Sequence, residues 1–557
     1  ENRARLPAMR RPLLVWPLAM LTRCSLSFRV LCGAARSRAF VASPRALAFS
    51  ASPGVTARRN DGLSRRQRTQ PLSSGSSLGR DPELTASSRQ EWWDLMDRVG
   101  ALPKGFRIGK VLLRFEPELS PNTTAKMHVG VIELAEEPSK TVAGVFTKNA
   151  VVGAPVTICR EELAKGTAVR GLVTNNKVSN VGVKTGVEDA RRIMDCVGKY
   201  DTRWKNAPNV TETNASVADP GIFLPASTGV IGWKLPANEM VKALEEELVM
   251  FDDGWITALG AAVAITTTDR YPKVASFSLP NGARVVGVAK GAGMIEPNLA
   301  TMLAFIMTDA QVDKSFLQEA LEDAVKTTFN RISIDGDQST SDMVLALSSN
   351  KVAMTSSTSD EEDDSSSSSS LKDAFRAGLA EVCSELAHQC VRNGEGTNHV
   401  IRFTVKNAPS DEEEGTLVDL ARFVVNGPLL KTCIAGNDPN VGRLMQRVGQ
   451  FLGERGKDHL LQRATVTVGD VAVFEDGIIT LTQDKEKAMR EHFESAQLGP
   501  ADIGLPDKSA GLDYPPHARC VDLAIDFHNE QPILDPVVVL GSDLTYQYVR
   551  ENADYRS

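Results

Sequence analysis

The sequence lacks the residue patterns that build metal sites and disulfide frameworks. It has eight cysteines and seven histidines in 557 residues, but neither a C-x-x-C pair nor an H-x-x-x-H pair. Such pairs give zinc ligands their usual spacing, so their absence argues against a zinc hydrolase, and we predict no metal site. The cysteines are also too scattered for the dense disulfide framework of a small secreted protein.

Acidic residues are missing from the amino-terminal segment. No Asp or Glu occurs from Asn2 to Asn60, where arginines stand among Ser, Ala and Leu. This composition is typical of an organellar transit peptide. We therefore interpret residues 1–88 as a transit peptide and disordered extension. The expected destination is the mitochondrial matrix, with a plastid as the alternative.

Apolar runs near this end are short. Residues 12–21 form an apolar run that is too short to span a bilayer, and we predict no membrane span. The run follows Arg10 and Arg11 and would suit the apolar core of a secretory signal peptide, which is the alternative to a transit peptide. The long arginine-bearing stretch behind it favours an organelle, although a plain disordered tail has the same composition.

Negative charge is concentrated in two short runs. Residues 360–364 and 411–414 carry nine acidic side chains, so the rest of the chain has a formal charge of about +2, against −7 for the whole. A nearly neutral body gives no sign of a basic face, and we predict no nucleic-acid partner. The Ser-rich residues 355–370 have no apolar side chain to bury and are predicted to be a disordered, solvated insertion, with 410–415 as a smaller acidic loop. A phosphorylated regulatory segment is the functional alternative.

The remainder has the patterns of a mixed body with two or three core-forming units. Short apolar runs predict strands at 142–146, 169–173, 284–289, 303–307 and 464–468. Thr185 and Glu188 form a capping box before a helix, and a second helix follows Asp313 or Ser315. The apolar face predicted for the first helix is Val187, Ala190, Met194 and Val197. Because strands and helices do not alternate regularly, we predict an α/β fold of the layered α+β kind.

The most informative segment is residues 290–309, which read K-G-A-G-M-I-E-P-N-L-A-T-M-L-A-F-I-M-T-D. By itself this is a loop with Gly and Pro between two apolar strands. A phosphate-binding P-loop would need G-x-x-x-x-G-K-[ST], and this segment does not contain that motif.

The segment resembles the self-cleavage site of the ornithine acetyltransferase (glutamate N-acetyltransferase, arginine biosynthesis bifunctional) family. The resemblance covers about residues 102–557 and includes further motifs in the family's order. These are A-S-T-G-V-I-G at 226–232, T-T-T-D at 266–269 with P-K at 272–273, D-G-D at 335–337 with Ser339, Thr340 and Asp342, G-E-G at 394–396, G-N-D-P-N at 436–440 with Gly442 and Arg443, and E-N at 551–552. The sequence departs from the family at 175–180, which read N-N-K-V-S-N, at Val441 and in the two acidic insertions.

The resemblance implies a self-cleaving fold of the N-terminal-nucleophile type, with the break between Ala300 and Thr301. Residues 101–300 would become an α chain, and residues 301–557 a β chain that starts with the nucleophile Thr301. At a chain end the α-amino group, with a reference pKa of about 7.7–8, can act as the base for the Thr hydroxyl. An amide nitrogen cannot, so cleavage has to come first.

By the same resemblance, the enzyme moves an acetyl group from N2-acetylornithine to glutamate through an acetyl-Thr301 intermediate and releases ornithine, a step of arginine biosynthesis. Thr228 and Gly229 would stabilise the oxyanion. No bound cofactor is expected, acetyl-CoA as a second donor is left open, and a heterotetramer of two α and two β chains is implied. The substrate-binding residues carried over from the family are Thr267, Lys290, Thr301, Glu395, Asn552 and Ser557.

Two other functions stay open on the sequence alone. Water in place of glutamate would make the protein an N-terminal-nucleophile aminopeptidase or amidohydrolase. A catalytically silent binding protein of the same fold is the second alternative. The joint presence of Thr301, Thr228, Gly229, Lys290 and Glu395 argues against a silent protein.

Overall fold

The structure, a computed structural model, describes residues 86, 88–204, 221–247, 257–296, 302–354, 364–498 and 517–553. Within these residues the strands are β1 Phe106–Phe115, β2 Ala125–Leu134, β3 Val142–Phe146, β4 Val169–Asn175, β5 Ile222–Ser227, β6 Lys273–Ser278, β7 Arg284–Lys290, β8 Leu303–Ala310, β9 Ile332–Ser333, β10 Met343–Val352, β11 Val400–Lys406, β12 Thr465–Val468, β13 Val471–Glu475, β14 Ile478–Ile479, β15 Val521–Asp526 and β16 Val537–Ser542. The helices in the same ranges are α1 Arg89–Val99, α2 Ala154–Lys165, α3 Gly186–Trp204, α4 Ala237–Glu247, α5 Leu259–Ile265, α6 Lys314–Thr327, α7 Asp364–Arg392, α8 Glu414–Val425, α9 Pro428–Ala435, α10 Val441–Glu454, α11 Gln483–Ser495 and α12 Tyr546–Ala553.

The strands form three sheets, with helices packed against them. The strand orders are β1-β2-β4-β5, β3-β10-β8-β7-β6 and β14-β13-β12-β15-β11-β16-β9. The layered mixture of strands and helices predicted from the sequence is confirmed. Each of the five predicted strand segments coincides, to within three residues at either end, with one of the strands β3, β4, β7, β8 and β12.

The five-stranded sheet is buried on both faces, as strand β8 shows. Successive side chains of a strand point to opposite faces. Ala304 and Ile306 join a core formed with α6 and α7, whereas Leu303, Phe305 and Met307 join the core that contains α5. Burial on both sides explains why this segment reads as an unbroken apolar run rather than an alternating one.

The register of the strands brings the ends of several strands together. Strands β4 and β5 are parallel and end side by side, with Asn175 opposite Ser227. Strand β7 ends where the antiparallel β8 begins, with Lys290 opposite Leu303. Strand β10 runs parallel to β8 and begins at the same edge, with Met343 opposite Leu303.

The Ser-rich acidic segment is partly helical. Helix α7 begins at Asp364, so the prediction of a disordered loop is wrong for residues 364–370, although Ser369 and Ser370 are exposed as predicted; residues 355–363 lie outside the described part. The helix is anchored further along by the buried Leu371, Phe375 and Leu379.

The second acidic run also enters a helix. Helix α8 begins at Glu414, whose carboxylate forms ion pairs with Lys326 and Arg331. Glu412 pairs with Lys457. The prediction of a plain acidic loop at 410–415 is therefore wrong at its carboxyl end, because basic groups from distant parts of the chain bind these carboxylates.

Two further predictions need correction. Helix α3 begins after Thr185 as predicted, but the Thr185 hydroxyl donates to the Asp189 carboxylate at 2.6 Å, and Val187 is exposed. At the amino-terminal boundary, Ala86 is buried in the core, and the Ser88 hydroxyl accepts from the Glu91 amide at 3.2 Å and caps α1. The folded body thus begins slightly before residue 88. Among the described helices, none combines the length and apolarity needed to cross a bilayer.

Candidate active site

One cavity of about 250 Å³ lies where these strand ends meet. Six of the residues singled out from the sequence line it: Thr228, Gly229, Thr267, Lys290, Glu395 and Asn552. They come from segments that are widely separated along the chain, so only the fold brings them together. Ala300, Thr301 and Ser557 lie outside the described residues.

A tight turn after β5 carries Thr228 and Gly229. The Thr228 amide donates to the Asn175 carbonyl at 3.1 Å, and the Val230 amide donates to the Lys177 carbonyl at 2.9 Å. Gly229 has a φ of 121°, and a Cβ at this position would lie 2.2 Å from the Lys177 carbonyl carbon. Only glycine fits between these two hydrogen bonds, because both the backbone conformation and the close approach exclude a side chain.

The segment that departs from the family pattern forms one side of this turn. Its first residue, Asn175, accepts the amide of Val178 at 3.0 Å and donates its side-chain amide to the Ser227 hydroxyl at 2.8 Å. Ser179, four residues further on, lines the cavity. The altered sequence at 175–180 therefore still builds a hydrogen-bonded turn beside Gly229, and the sequence analysis did not identify Ser179.

Glu395 also lines the cavity and is held by three hydrogen bonds. Its carboxylate accepts from the Thr268 hydroxyl at 2.6 Å and from the Asn552 side-chain amide at 2.8 Å, and its backbone amide donates to Ala292 at 2.7 Å. Gly293 packs so closely that an added Cβ would lie 2.3 Å from a Glu395 carboxylate oxygen. Burial raises the pKa of the Glu395 carboxyl above its usual value.

Helix α12 carries Asn552 to the cavity and is fixed in place by side-chain contacts. The Thr545 hydroxyl, just before the helix, donates to the Gly396 carbonyl at 2.7 Å. The Tyr548 hydroxyl donates to Asp335 at 3.2 Å. Asp335 also accepts the amides of Met294 and Ile295, at 2.6 and 2.8 Å. One carboxylate thus ties α12 to the loop that precedes the predicted cleavage site.

A buried ion pair of Asp269 and Lys273 holds the backbone at the cavity in place. Both side chains are almost fully buried, and Lys273 also donates to the Asn393 side-chain oxygen at 2.9 Å. Asp269 accepts the Gly291 amide at 3.0 Å and the Thr267 amide at 2.9 Å. Although burial opposes ionisation, Lys273 and Lys290 lower the pKa of Asp269 to about 2, so the Asp269 carboxyl is ionised at neutral pH.

Substituting Asp269 with asparagine is expected to destabilise the protein by about 3–5 kcal/mol, because Lys273 is left buried without its counter-charge. The double variant Asp269→Asn/Lys273→Met removes both charges and should recover part of this loss. Urea unfolding of the two variants and the wild type measures the difference. A single variant as stable as the double variant would contradict this account of the pair.

Comparison with known proteins places this arrangement in a family. The sequence matches the ArgJ family over residues 121–557. The chain belongs to the ArgJ family. It is 33% identical to the arginine biosynthesis bifunctional protein ArgJ of Nitratidesulfovibrio vulgaris over 465 residues, covering 82% of this chain and 100% of that protein. It is also 33% identical to the glutamate N-acetyltransferase of Methanocaldococcus jannaschii over 434 residues, covering 76% of this chain and 94% of that one.

The crystal structure of an ArgJ protein from Bacillus halodurans is 27% identical to this chain, with a TM-score of 0.34, and the match covers 45% of this chain and 98% of that one. The acyltransferase class predicted from the sequence is confirmed by ArgJ family membership. The family assignment confirms the resemblance from which the site residues were carried over.

Three further residues of this ArgJ-family cavity were given no role from the sequence. Asp342 lines the cavity and is buried, and Ser339 and Ser341 line it beside Asp342. Ser339 and Asp342 were recognised from the sequence as part of the family motif that begins with D-G-D, but neither was given a role. The buried position of Asp342 follows from the packing of β10 against β8, which the local sequence does not indicate.

Proposed function

We propose that this protein is a self-cleaving glutamate N-acetyltransferase that moves the acetyl group of N2-acetylornithine to glutamate in arginine biosynthesis. The observation that carries the proposal is the shared cavity, which is lined by a glycine-dependent turn at Thr228 and Gly229, by the cationic side chain of Lys290 and by the buried Glu395. Strand β8, which continues the segment that starts at Thr301, begins beside Lys290 at this cavity.

Maturation starts when the Thr301 hydroxyl oxygen attacks the Ala300 carbonyl carbon. The peptide C–N bond breaks, which frees the Thr301 α-amine and leaves an ester on the Thr301 side-chain oxygen; water then hydrolyses this ester to the Ala300 carboxylate and the Thr301 hydroxyl. Each step passes through a tetrahedral oxyanion, for which the turn at Thr228 and Gly229 supplies hydrogen-bond donors. The new amine is the base that the hydroxyl lacked before cleavage.

Turnover then uses the hydroxyl twice. Thr301 Oγ gives its proton to the α-amine and attacks the acetyl carbonyl of N2-acetylornithine, and ornithine leaves with that proton on its amine. The glutamate amine next attacks the acetyl ester and regenerates the Thr301 hydroxyl. In both halves the acetyl group forms a bond to one nucleophile as it leaves the other, so no outside oxidant or cofactor is required.

The charges in the cavity suit amino-acid substrates. Both substrates have an α-carboxylate, for which Lys290 is the cationic partner among the residues that line the cavity. N2-acetylornithine also has a side-chain ammonium, for which the buried Glu395 carboxylate is placed as counter-charge. An ammonium at this position would oppose the effect of burial and favour the ionised form of Glu395.

Initial-rate kinetics together with a gel tests the proposed function. We expect two fragments, with the smaller starting at Thr301, and parallel double-reciprocal lines for N2-acetylornithine and glutamate, as a covalent acetyl-enzyme requires. Two fragments with acetate release and no N-acetylglutamate would favour the hydrolase. An intact, inactive chain would favour the silent binding protein, and intersecting lines would exclude the acetyl-Thr301 step.

Asn552 is expected to act in substrate binding through Glu395. Asn552→Ala removes the 2.8 Å hydrogen bond to the Glu395 carboxylate, so we expect KM for N2-acetylornithine to rise about tenfold with little change in kcat. Cleavage at Thr301 should be unaffected, because it needs no substrate. The exposed neighbour Ala553, changed to serine, is the matched control. An unchanged KM for Asn552→Ala would remove Asn552, and with it the proposed role of the Ser557 end, from the site.

Three finer features belong to the same proposal. Acetyl-CoA as a second donor, a tetramer of two α and two β chains, and delivery to mitochondria remain proposals from the sequence. The two relatives compared above are bacterial and archaeal and give no support for a mitochondrial address. Fusing residues 1–88 to a fluorescent protein tests the proposed delivery to mitochondria. Entry of the fusion into the secretory pathway would exclude that delivery.

A further inference from the structure

Asp342 has a buried carboxyl group at the cavity, and one of its oxygens accepts no hydrogen bond from the described residues. The residue is 4% exposed and lines the cavity next to Ser341. Its side chain interacts with Ser339, while Oδ2 has no hydrogen-bond partner among the described residues. A buried polar atom without a partner is costly, so it indicates a partner that arrives in another state of the protein.

The strand register shows where that partner would come from. The Met343 amide donates to the Met302 carbonyl at 3.0 Å, and Met343 lies opposite Leu303 in the parallel pair β10 and β8. The backbone that directly follows Asp342 is therefore fixed against the backbone that directly follows residue 301. Residue 301 directly precedes Met302 in the chain, so its α-nitrogen cannot be far from this hydrogen-bonded backbone.

We propose that Asp342 is a positioning residue that binds the α-ammonium group created at Thr301 by cleavage and orients this amine as the base. The inference rests on the proposed function, because the ammonium exists only after the Ala300–Thr301 bond has broken. It goes beyond that function by giving the new amine a specific partner and Asp342 a role that begins at maturation.

The ionisation of Asp342 fits such a change. In the uncleaved chain the nitrogen at 301 is an uncharged amide, and burial holds the pKa of the Asp342 carboxyl well above its usual range. An ammonium beside Oδ2 would favour the carboxylate. The other charged side chains among the described residues that line the cavity are Lys290 on β7 and Glu395 after α7. Lys290 also favours the carboxylate, whereas Glu395 is engaged by Thr268 and Asn552.

The variant Asp342→Asn distinguishes a role in the uncleaved chain from a role in the cleaved enzyme, because asparagine has the shape of the neutral carboxyl group but cannot become an anion. We expect the variant to cleave itself within about twofold of the wild-type rate, which also shows that the site is folded. Its kcat for acetyl transfer should fall by about 10–100-fold, in the range of a lost contribution to acid–base catalysis. A nearby carboxylate raises the pKa of an ammonium, so its removal should move the acidic limb of the kcat profile down by about one pH unit.

Asp337→Asn is the matched control, because it removes a charge from an exposed position in the same loop and should leave cleavage, kcat and the pH profile unchanged. An Asp342→Asn enzyme with wild-type kcat and pH profile overturns the inference. So does a folded variant that fails to cleave, since Asp342 would then act in the precursor. A raised KM with unchanged kcat and pH profile also overturns it, because the ammonium would be the substrate's. A wild-type chain that stays whole and inactive rejects the proposed function itself.

Discussion

Replacing Thr301 with alanine is expected to leave the purified protein as a single chain without acetyl transfer. Alanine has no hydroxyl group, so neither the ester with residue 300 nor the acetyl ester can form. Loss of a covalent nucleophile typically lowers kcat by at least about 10⁴-fold, which would place the variant at the background of the assay. A denaturing gel, intact mass and N-terminal sequencing report cleavage, and N-acetylglutamate formation reports turnover.

Thr301→Ser is the matched control for this variant. Serine keeps the hydroxyl and, after cleavage, the α-amine, so we expect two fragments and measurable transfer. If Thr301→Ala is still split between residues 300 and 301, another protease makes the cut, and self-cleavage has to be abandoned. If it stays whole but transfers acetyl groups, the nucleophile lies elsewhere. The two readouts thus test maturation and catalysis independently.

The sequence predicted the residues of the cavity better than their arrangement. Thr228, Lys290 and Glu395 were carried over from family motifs, and the structure places all three around one cavity. Local patterns alone would have left each of them in an ordinary turn. Asp342 was recognised as a motif residue but given no role, because the evidence for one is a buried oxygen without a hydrogen-bond partner among the described residues, which depends on the packing of β10 against β8 rather than on neighbouring residues.

The fold was predictable where hydrophobic patterns are strong. Strand β8 is a dense apolar run because both faces of its sheet are buried, and its strand character is evident from the residues alone. The start of helix α7 at Asp364 was not predicted, because composition describes what a segment can bury and not whether a neighbouring helix extends into it. Helix α1 was missed although Ser88 and Glu91 have the spacing of a capping box.

Gly229→Ala is expected to lower both the rate of self-cleavage and kcat by about 10²–10³-fold. The new Cβ would lie 2.2 Å from the Lys177 carbonyl carbon, and a φ of 121° is itself unfavourable for alanine. The turn must then move, and the Gly229 amide moves with it. Removing one oxyanion-hole donor costs about 3–4 kcal/mol in the barrier, which corresponds to the expected loss. Both reactions should suffer, because both pass through an oxyanion at the same turn.

Gly232→Ala separates this effect from general backbone strain. Gly232 also has a positive φ, 82°, but a Cβ there would meet nothing within 4 Å. It lies three residues after Gly229 and does not line the cavity among the described residues. We expect this variant to lose about 1–2 kcal/mol of stability from the left-handed conformation, with cleavage and kcat within a few-fold of wild type. Should Gly229→Ala behave like Gly232→Ala in both assays, the turn at Thr228 and Gly229 would be only a structural turn, and the oxyanion donors would have to be sought elsewhere around the cavity.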